Sequence, residues 1–124
     1  MINKIWRHKN MKESFLGALK GLVIVLKTEK NAGIIFTIGL AVIILGFLFK
    51  LSLYEFAILI IVTIAVFVCE VFNTLVENIL NIVQPQDDPK IKILKNISSA
   101  AVLLSSIGAL VIGLIIFLPK IIKK

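Results

Sequence analysis

Five polar side chains interrupt an otherwise apolar stretch, Cys69–Asn81, whose sequence is CEVFNTLVENILN. The first is Glu70, and the other four follow it by 3, 4, 7 and 11 residues. These offsets fall on one face of a helix that turns about 100° per residue. Two of the five are carboxylates, and each costs about 3 kcal/mol at membrane depth unless it is paired or serves a purpose. The five residues are Glu70, Asn73, Thr74, Glu77 and Asn81.

Such a polar stripe has two interpretations. Glu and Asn side chains in membrane helices hydrogen-bond to neighbouring helices and so hold a bundle together. Five polar residues on one face exceed what helix adhesion needs, so a site for a cation or a phosphate is the better interpretation. Mg²⁺ takes one or two protein carboxylates and completes its shell with water and phosphate oxygens. A further carboxylate can accept a proton from a hydroxyl nucleophile.

Two residues outside the stripe extend this chemistry. Lys95 suits a phosphate as a point charge, although lysines at helix mouths equally often extend to the membrane interface. Glu29 lies in the polar joint Thr28–Asn31, where a carboxylate is more often merely solvated. The sequence has neither a G-x-x-x-x-G-K-[ST] loop nor a protein-kinase signature. A nucleotide site in this chain is therefore of another kind.

Composition indicates a membrane protein with one domain, residues 1–124. The chain is 59% hydrophobic with a mean hydropathy of +1.04, whereas soluble domains average under half apolar residues. The net charge of +7 then points to membrane lipid headgroups and not to nucleic acid, because no basic–aromatic pattern is present. A single cysteine and a single histidine make a disulfide impossible within the chain and a zinc site improbable.

Hydropathy and turn residues predict an all-α membrane protein with an N-terminal amphipathic surface helix and three transmembrane helices. The surface helix has an apolar stripe that starts at Phe15, and Ser14 is a candidate N-cap. Two prolines mark the loop before the last span, and Pro119 is expected to end that span. The predicted ranges are about 12–28 for the surface helix and 33–50, 55–83 and 92–118 for the spans.

The lysine and arginine distribution predicts the orientation. Ten of the 14 lie in the N-terminal region or in the loop 84–96, which puts both on the cytoplasmic side, with Trp6 as an interfacial anchor. The candidate site residues then fall in the cytoplasmic half of the membrane, where ATP and Mg²⁺ are available. Ser98, Ala101, Ser105 and Gly108 form a small-residue face on the last span, which favours close helix packing and oligomerisation.

These residues resemble the small prokaryotic diacylglycerol kinases, including the undecaprenol kinases of Gram-positive bacteria. The resemblance covers about residues 14–118. Its most specific part is E-x-x-N-x-x-x-E at Glu70–Glu77, followed by Lys95 ahead of Ser99–Leu104. The joint Lys27–Asn31 also looks like the family's N-terminal region.

The resemblance implies a homotrimer with active sites at subunit interfaces and phosphoryl transfer from MgATP to a lipid alcohol, undecaprenol or diacylglycerol. It implies that Glu70 is the catalytic base and that Glu29 and Glu77 bind the metal and the nucleotide. It also implies that Asn73 and Lys95 position substrate and phosphate. Asn81, assigned to the nucleotide site, and Asn96 stand where the family usually has Asp, which lowers the negative charge of the site.

Two other classes of function remain open at this point. A small membrane transporter would use Glu70 and Glu77 to carry protons or cations, but such exporters generally need four spans. A catalytically degenerate membrane scaffold would need no site at all. We predict a lipid kinase, with undecaprenol as the favoured acceptor.

Overall fold

The structure is a computed structural model that describes residues 10–123. Trp6, predicted as an interfacial anchor, lies outside this range. Within it the chain is all helical, without strands, and three of the four helices are long and apolar enough to cross a membrane. The predicted all-α architecture with three spans is therefore confirmed. The helices are α1 (Met11–Thr28), α2 (Lys30–Leu48), α3 (Leu53–Val83) and α4 (Pro89–Ile122), of which α1 is not a candidate span.

A single extended residue separates α1 from α2. The side chain of Asn10 caps α1 by accepting a hydrogen bond from the backbone N–H of Glu13 at 2.9 Å. The prediction that Ser14 is the cap is wrong, because α1 already begins one turn earlier. Glu29 then leaves the helical conformation, with φ −110° and ψ 112°, and α2 starts at the next residue. The break between the two helices therefore determines the position of Glu29 in the fold.

The turn between α2 and α3 closes both helices with hydrogen bonds. At the end of α2, the N–H of Leu51 bonds to the carbonyl of Gly46 and that of Lys50 to Phe47, the two bonds of a Schellman motif. Lys50 has a φ of 53°, in the left-handed region that favours glycine. Ser52 and Glu55 then form a reciprocal capping box, which starts α3 two residues before the predicted span.

The last helix is longer at both ends than predicted. Asp88 caps it by accepting from the N–H of Lys90 at 2.8 Å, and Pro89 occupies the first turn, where its missing N–H costs nothing. The prediction that Pro119 ends the helix is wrong, because the helix continues to Ile122. Proline removes only one hydrogen bond here, and the Lys120 ammonium holds the last turn against α3 through an ion pair with Glu55 at 3.1 Å.

The helix α3 is the centre of the fold, since α2 and α4 both pack against it. The approach of α2 is close at Gly39, where an added Cβ would lie 2.8 Å from Cγ2 of Thr63. An apolar cavity of about 500 Å³ lies between α2, α3 and α4. Most large apolar side chains face outward, and the few buried ones in the described range include Leu59 and Val66 on α3. This exposure suits a protein surrounded by lipid or by further copies.

Candidate active site

The buried polar residues of the described chain all lie on α3. Glu70 is 3% exposed, Asn73 is 8% exposed and Thr74 is 5% exposed, although most of the surrounding apolar side chains are open to the exterior. These three residues follow one another at helical spacing on the face predicted from the sequence. The helix therefore buries the first three residues of the polar stripe, whereas Glu77 is half-buried and Asn81 is exposed. Burial of the carboxylate end of the stripe is expected at membrane depth.

Two further carboxylates, from separate parts of the chain, lie within electrostatic range of Glu70. Glu77 is half-buried, and one of its oxygens accepts a hydrogen bond from Nδ2 of Asn73 at 3.4 Å. Glu29 is also half-buried, and both it and Glu77 lie near enough to Glu70 to repel its carboxylate electrostatically. The fold thus brings Glu29, at the α1–α2 joint, within electrostatic range of Glu70 on α3.

The donor set of this cluster fits Mg²⁺. None of the three carboxylates is ion-paired with a lysine among residues 10–123, so no ion pair offsets the repulsion of Glu70 by Glu29 and Glu77. Carboxylate oxygens are the ligands that this ion prefers, and one or two of them are enough when phosphates complete the shell. Over the same residues no group of three or more acidic, His or Cys side chains has the geometry of a metal site. Glu29 and Glu77 supply carboxylate oxygens of the kind that Mg²⁺ takes, and phosphate oxygens and water would have to complete the shell.

A second polar region lies where α3 ends and α4 begins. The Lys95 ammonium donates a hydrogen bond to Oδ1 of Asn81 at 2.7 Å, so two predicted site residues from different helices are in contact. Both line a cavity of about 670 Å³ beside the proline loop, a volume within the usual range for small-molecule sites. Asp88 and Lys92 line it as well, and sequence reasoning missed them. The three-residue spacing of Lys92 and Lys95 was the available signal, since it puts them on neighbouring positions of one helix face.

The two regions are connected along α3. Glu70 and Asn81 are eleven residues apart, which corresponds to about 16 Å along the helix axis. Glu77 lies between them, one turn from Asn81. The site is therefore elongated, with a buried carboxylate at its inner end and a lysine-lined cavity at its mouth. This order suits the transfer of a charged group from a polar donor at the mouth to an acceptor inside.

Comparisons with known proteins agree with these observations. The family model described as prokaryotic diacylglycerol kinase matches residues 17–117. An undecaprenol kinase of Bacillus subtilis is 32% identical over 109 residues, which cover 88% of this chain and 89% of that protein. A diacylglycerol kinase of Synechocystis is 30% identical over 115 residues, 92% of this chain and 66% of that protein. No solved structure gives a significant match.

Proposed function

The chain belongs to the prokaryotic diacylglycerol kinase family and is a lipid kinase, and we propose that it phosphorylates undecaprenol with MgATP as the donor. The observation that carries this proposal is the buried Glu70 carboxylate with Glu29 and Glu77 in electrostatic range, together with the Asn81–Lys95 hydrogen bond further along α3. Phosphoryl transfer requires charge neutralisation at the donor and a proton acceptor at the nucleophile. Lys95 and an ion held by Glu29 and Glu77 would supply the first requirement, and Glu70 would supply the second.

The donor half of the reaction is assigned to the mouth of the site. Lys95 would contact the phosphates of ATP, and its bond to Asn81 holds the ammonium at the cavity wall. Glu29 and Glu77 would hold the Mg²⁺ that accompanies the nucleotide. When bound, the ion neutralises negative charge on the phosphate oxygens during transfer. The geometry supports this assignment because Glu77 is only one turn from Asn81.

The acceptor half is assigned to Glu70, with Asn73 beside it to position the substrate. The Glu70 carboxylate takes the proton of the lipid hydroxyl while the hydroxyl oxygen attacks the γ-phosphorus. The bond from the γ-phosphorus to the β–γ bridging oxygen breaks, and ADP leaves. A 3% exposed carboxylate is shielded from bulk water, which favours a lipid hydroxyl over water as the acceptor.

The choice of undecaprenol rests on the relatives. The Bacillus subtilis undecaprenol kinase matches over nearly its whole length, whereas the match covers only two-thirds of the Synechocystis diacylglycerol kinase. Both alcohols present a primary hydroxyl on an apolar tail, so the catalytic residues alone do not distinguish them. Neither relative favours the transporter or the scaffold alternative.

Assembly as a homotrimer in the bacterial cell membrane is part of this proposal. Ala101 and Gly108 on α4 are exposed in the single chain, and nothing lies within 4 Å of the position of a Cβ on Gly108. Such a small-residue face allows another helix to approach closely. The lysine distribution supports a cytoplasmic N-terminus and a cytoplasmic proline loop. A reporter inserted at Gln86–Pro89 is expected to read as cytoplasmic, and one fused after residue 124 as external.

The deciding experiment is a kinase assay on the purified protein. Labelled ATP and Mg²⁺ are supplied with undecaprenol, diacylglycerol and a series of other lipid alcohols, and initial rates are compared. The expected result is transfer to lipid, with the highest kcat/KM for undecaprenol. A higher kcat/KM for diacylglycerol would overturn the choice of acceptor, and no transfer to any lipid alcohol would overturn the proposed function.

A further inference from the structure

Thr74 differs from every other threonine of the chain in how its hydroxyl is used. The chain has four threonines, all within the described residues, and a helical threonine commonly donates to the carbonyl four residues earlier. Thr74 has no such bond, although the carbonyl of Glu70 lies at the corresponding position. The other three make it: Thr28 to Ile24 at 2.7 Å, Thr37 to Gly33 at 2.8 Å and Thr63 to Leu59 at 2.7 Å.

The Thr74 hydroxyl is also buried. The residue is 5% exposed, and its Oγ1 has no hydrogen-bond partner among the described residues. Its backbone carbonyl is satisfied by Nδ2 of Asn78 at 2.9 Å, so only the hydroxyl is left over. A buried hydroxyl without a partner costs about 1–3 kcal/mol, and membrane surroundings provide no water to relieve it. Such an atom is expected to gain a partner when the site is filled.

The position of Thr74 suggests which partner this is. It lies four residues after Glu70, so the two side chains are neighbours on one face of α3, about 6 Å apart at their Cβ atoms. Oδ1 of the adjacent Asn73 is likewise buried without a partner. A ligand with a polar group is therefore expected beside the carboxylate that the proposed function makes the base.

We propose that Thr74 positions the acceptor by donating its hydroxyl hydrogen to the oxygen of the lipid alcohol. This inference rests on the proposed function and adds a residue to it. An alcohol oxygen has two lone pairs and one proton. One lone pair accepts the Thr74 hydrogen, the proton goes to Glu70, and the second lone pair attacks the γ-phosphorus. Thr74 keeps its own proton throughout, so it orients the nucleophile without taking part in proton transfer.

The test compares three variants in the lipid kinase assay. Thr74→Val keeps the shape and removes the hydroxyl, Thr74→Ser keeps the hydroxyl, and Thr63→Val is the matched control. Thr63 is a half-buried threonine on the same helix, but its hydroxyl is satisfied by Leu59. We expect Thr74→Val to lower kcat/KM for the lipid by about 5- to 10-fold, the effect of one hydrogen bond, with KM for MgATP unchanged. Thr74→Ser and Thr63→Val are expected to keep wild-type values.

Thermal stability and oligomer size of the same variants exclude a merely structural role. Removing a hydroxyl that has no partner among residues 10–123 is expected to leave both unchanged or to raise the melting temperature. Wild-type kcat/KM in Thr74→Val would overturn the inference and leave the proposed function intact. So would a drop in stability or oligomer size in Thr74→Val, because the hydroxyl would then be bonded to structural water or to a neighbouring subunit. A wild-type protein inactive on every lipid alcohol would overturn the proposed function, and this inference with it.

Discussion

Lys95 and Asn81 are joined across the proline loop by a hydrogen bond of 2.7 Å between the ammonium and Oδ1. The bond connects the start of α4 to the end of α3 and orients the lysine along the wall of the cavity at the mouth of the site. An amide oxygen holds the ammonium without neutralising it, whereas a carboxylate in the same place would form an ion pair. Asn81 therefore leaves the positive charge of Lys95 without a compensating negative charge in this bond.

Removing the charge of Lys95 is expected to weaken nucleotide binding. Lys95→Met should raise KM for MgATP by about 10- to 100-fold, because a hydrogen bond to a charged group contributes about 1.5–3 kcal/mol. This KM is obtained from steady-state rates measured over a range of MgATP concentrations at saturating lipid. Lys90→Met is the matched control, since Lys90 is on the same helix but does not line the cavity. An equal rise in both variants would indicate a general effect of membrane surface charge instead of a phosphate contact.

Replacing Glu70 tests whether this carboxylate, and not Glu29 or Glu77, accepts the proton. Glu70→Gln is expected to lower turnover by about 10²–10⁴-fold, the usual loss for a general base, with KM for MgATP nearly unchanged. The control is Glu55→Gln, at the opposite end of α3, which is expected to retain activity. Wild-type turnover in Glu70→Gln would show that another group accepts the proton.

Glu29→Gln and Glu77→Gln are expected to affect the metal requirement. Each variant removes one of the two carboxylates assigned to Mg²⁺, so more Mg²⁺ should be needed for half-maximal activity. Titration of Mg²⁺ at fixed ATP and saturating lipid gives this concentration for each variant. An unchanged Mg²⁺ requirement combined with a lower turnover would move these residues from metal binding to another role.

The turn at Lys50 offers a test of backbone strain. Lys50 has a φ of 53° at the end of a Schellman motif, where a side chain costs about 1 kcal/mol relative to glycine. Lys50→Gly is expected to raise the stability of the folded protein by about this amount, measured by thermal unfolding in detergent. Lys27→Gly, inside the last turn of α1, should lower it by a similar amount. A loss of stability in Lys50→Gly would mean that the lysine side chain makes a contact worth more than the strain.

Gly108→Leu tests the proposed assembly. Gly108 is exposed in the single chain and nothing lies within 4 Å of a Cβ at this position, so a side chain added here points away from its own subunit. Any loss of oligomer in mild detergent would therefore come from overpacking between subunits. Gly39→Ala is the contrast, because its Cβ would clash with Thr63 inside one subunit and lower stability without a specific effect on assembly. An oligomer of unchanged size and stability in Gly108→Leu would put the subunit interface elsewhere.

Local sequence pattern predicted the parts of this protein that depend on neighbours along the chain. Runs of apolar residues marked the three spans, and helical spacing put Glu70, Asn73 and Glu77 on one face of α3. Both follow from the geometry of a single helix and its surroundings. End points were less accurate: Ser14 is not the cap of α1, and Pro119 does not end α4. The Asn10 cap and the Glu55–Lys120 ion pair accompany these ends, and both depend on side-chain contacts that a sequence pattern does not record.

Tertiary structure alone decided which residues from separate helices meet. The single extended residue at Glu29 turns the chain so that this carboxylate comes near Glu70, and the loop after α3 returns Lys95 to Asn81. Neither the approach of Glu29 to Glu70 nor the Lys95–Asn81 bond follows from spacing, because the direction of a chain after a break depends on how the next helices pack. Tertiary structure also decides that the Thr74 hydroxyl has no hydrogen-bond partner among the described residues. The other three threonines of the chain each bond to a carbonyl of their own helix, so residue type does not predict the difference. Only the packing around Thr74 determines that its hydroxyl makes no such bond.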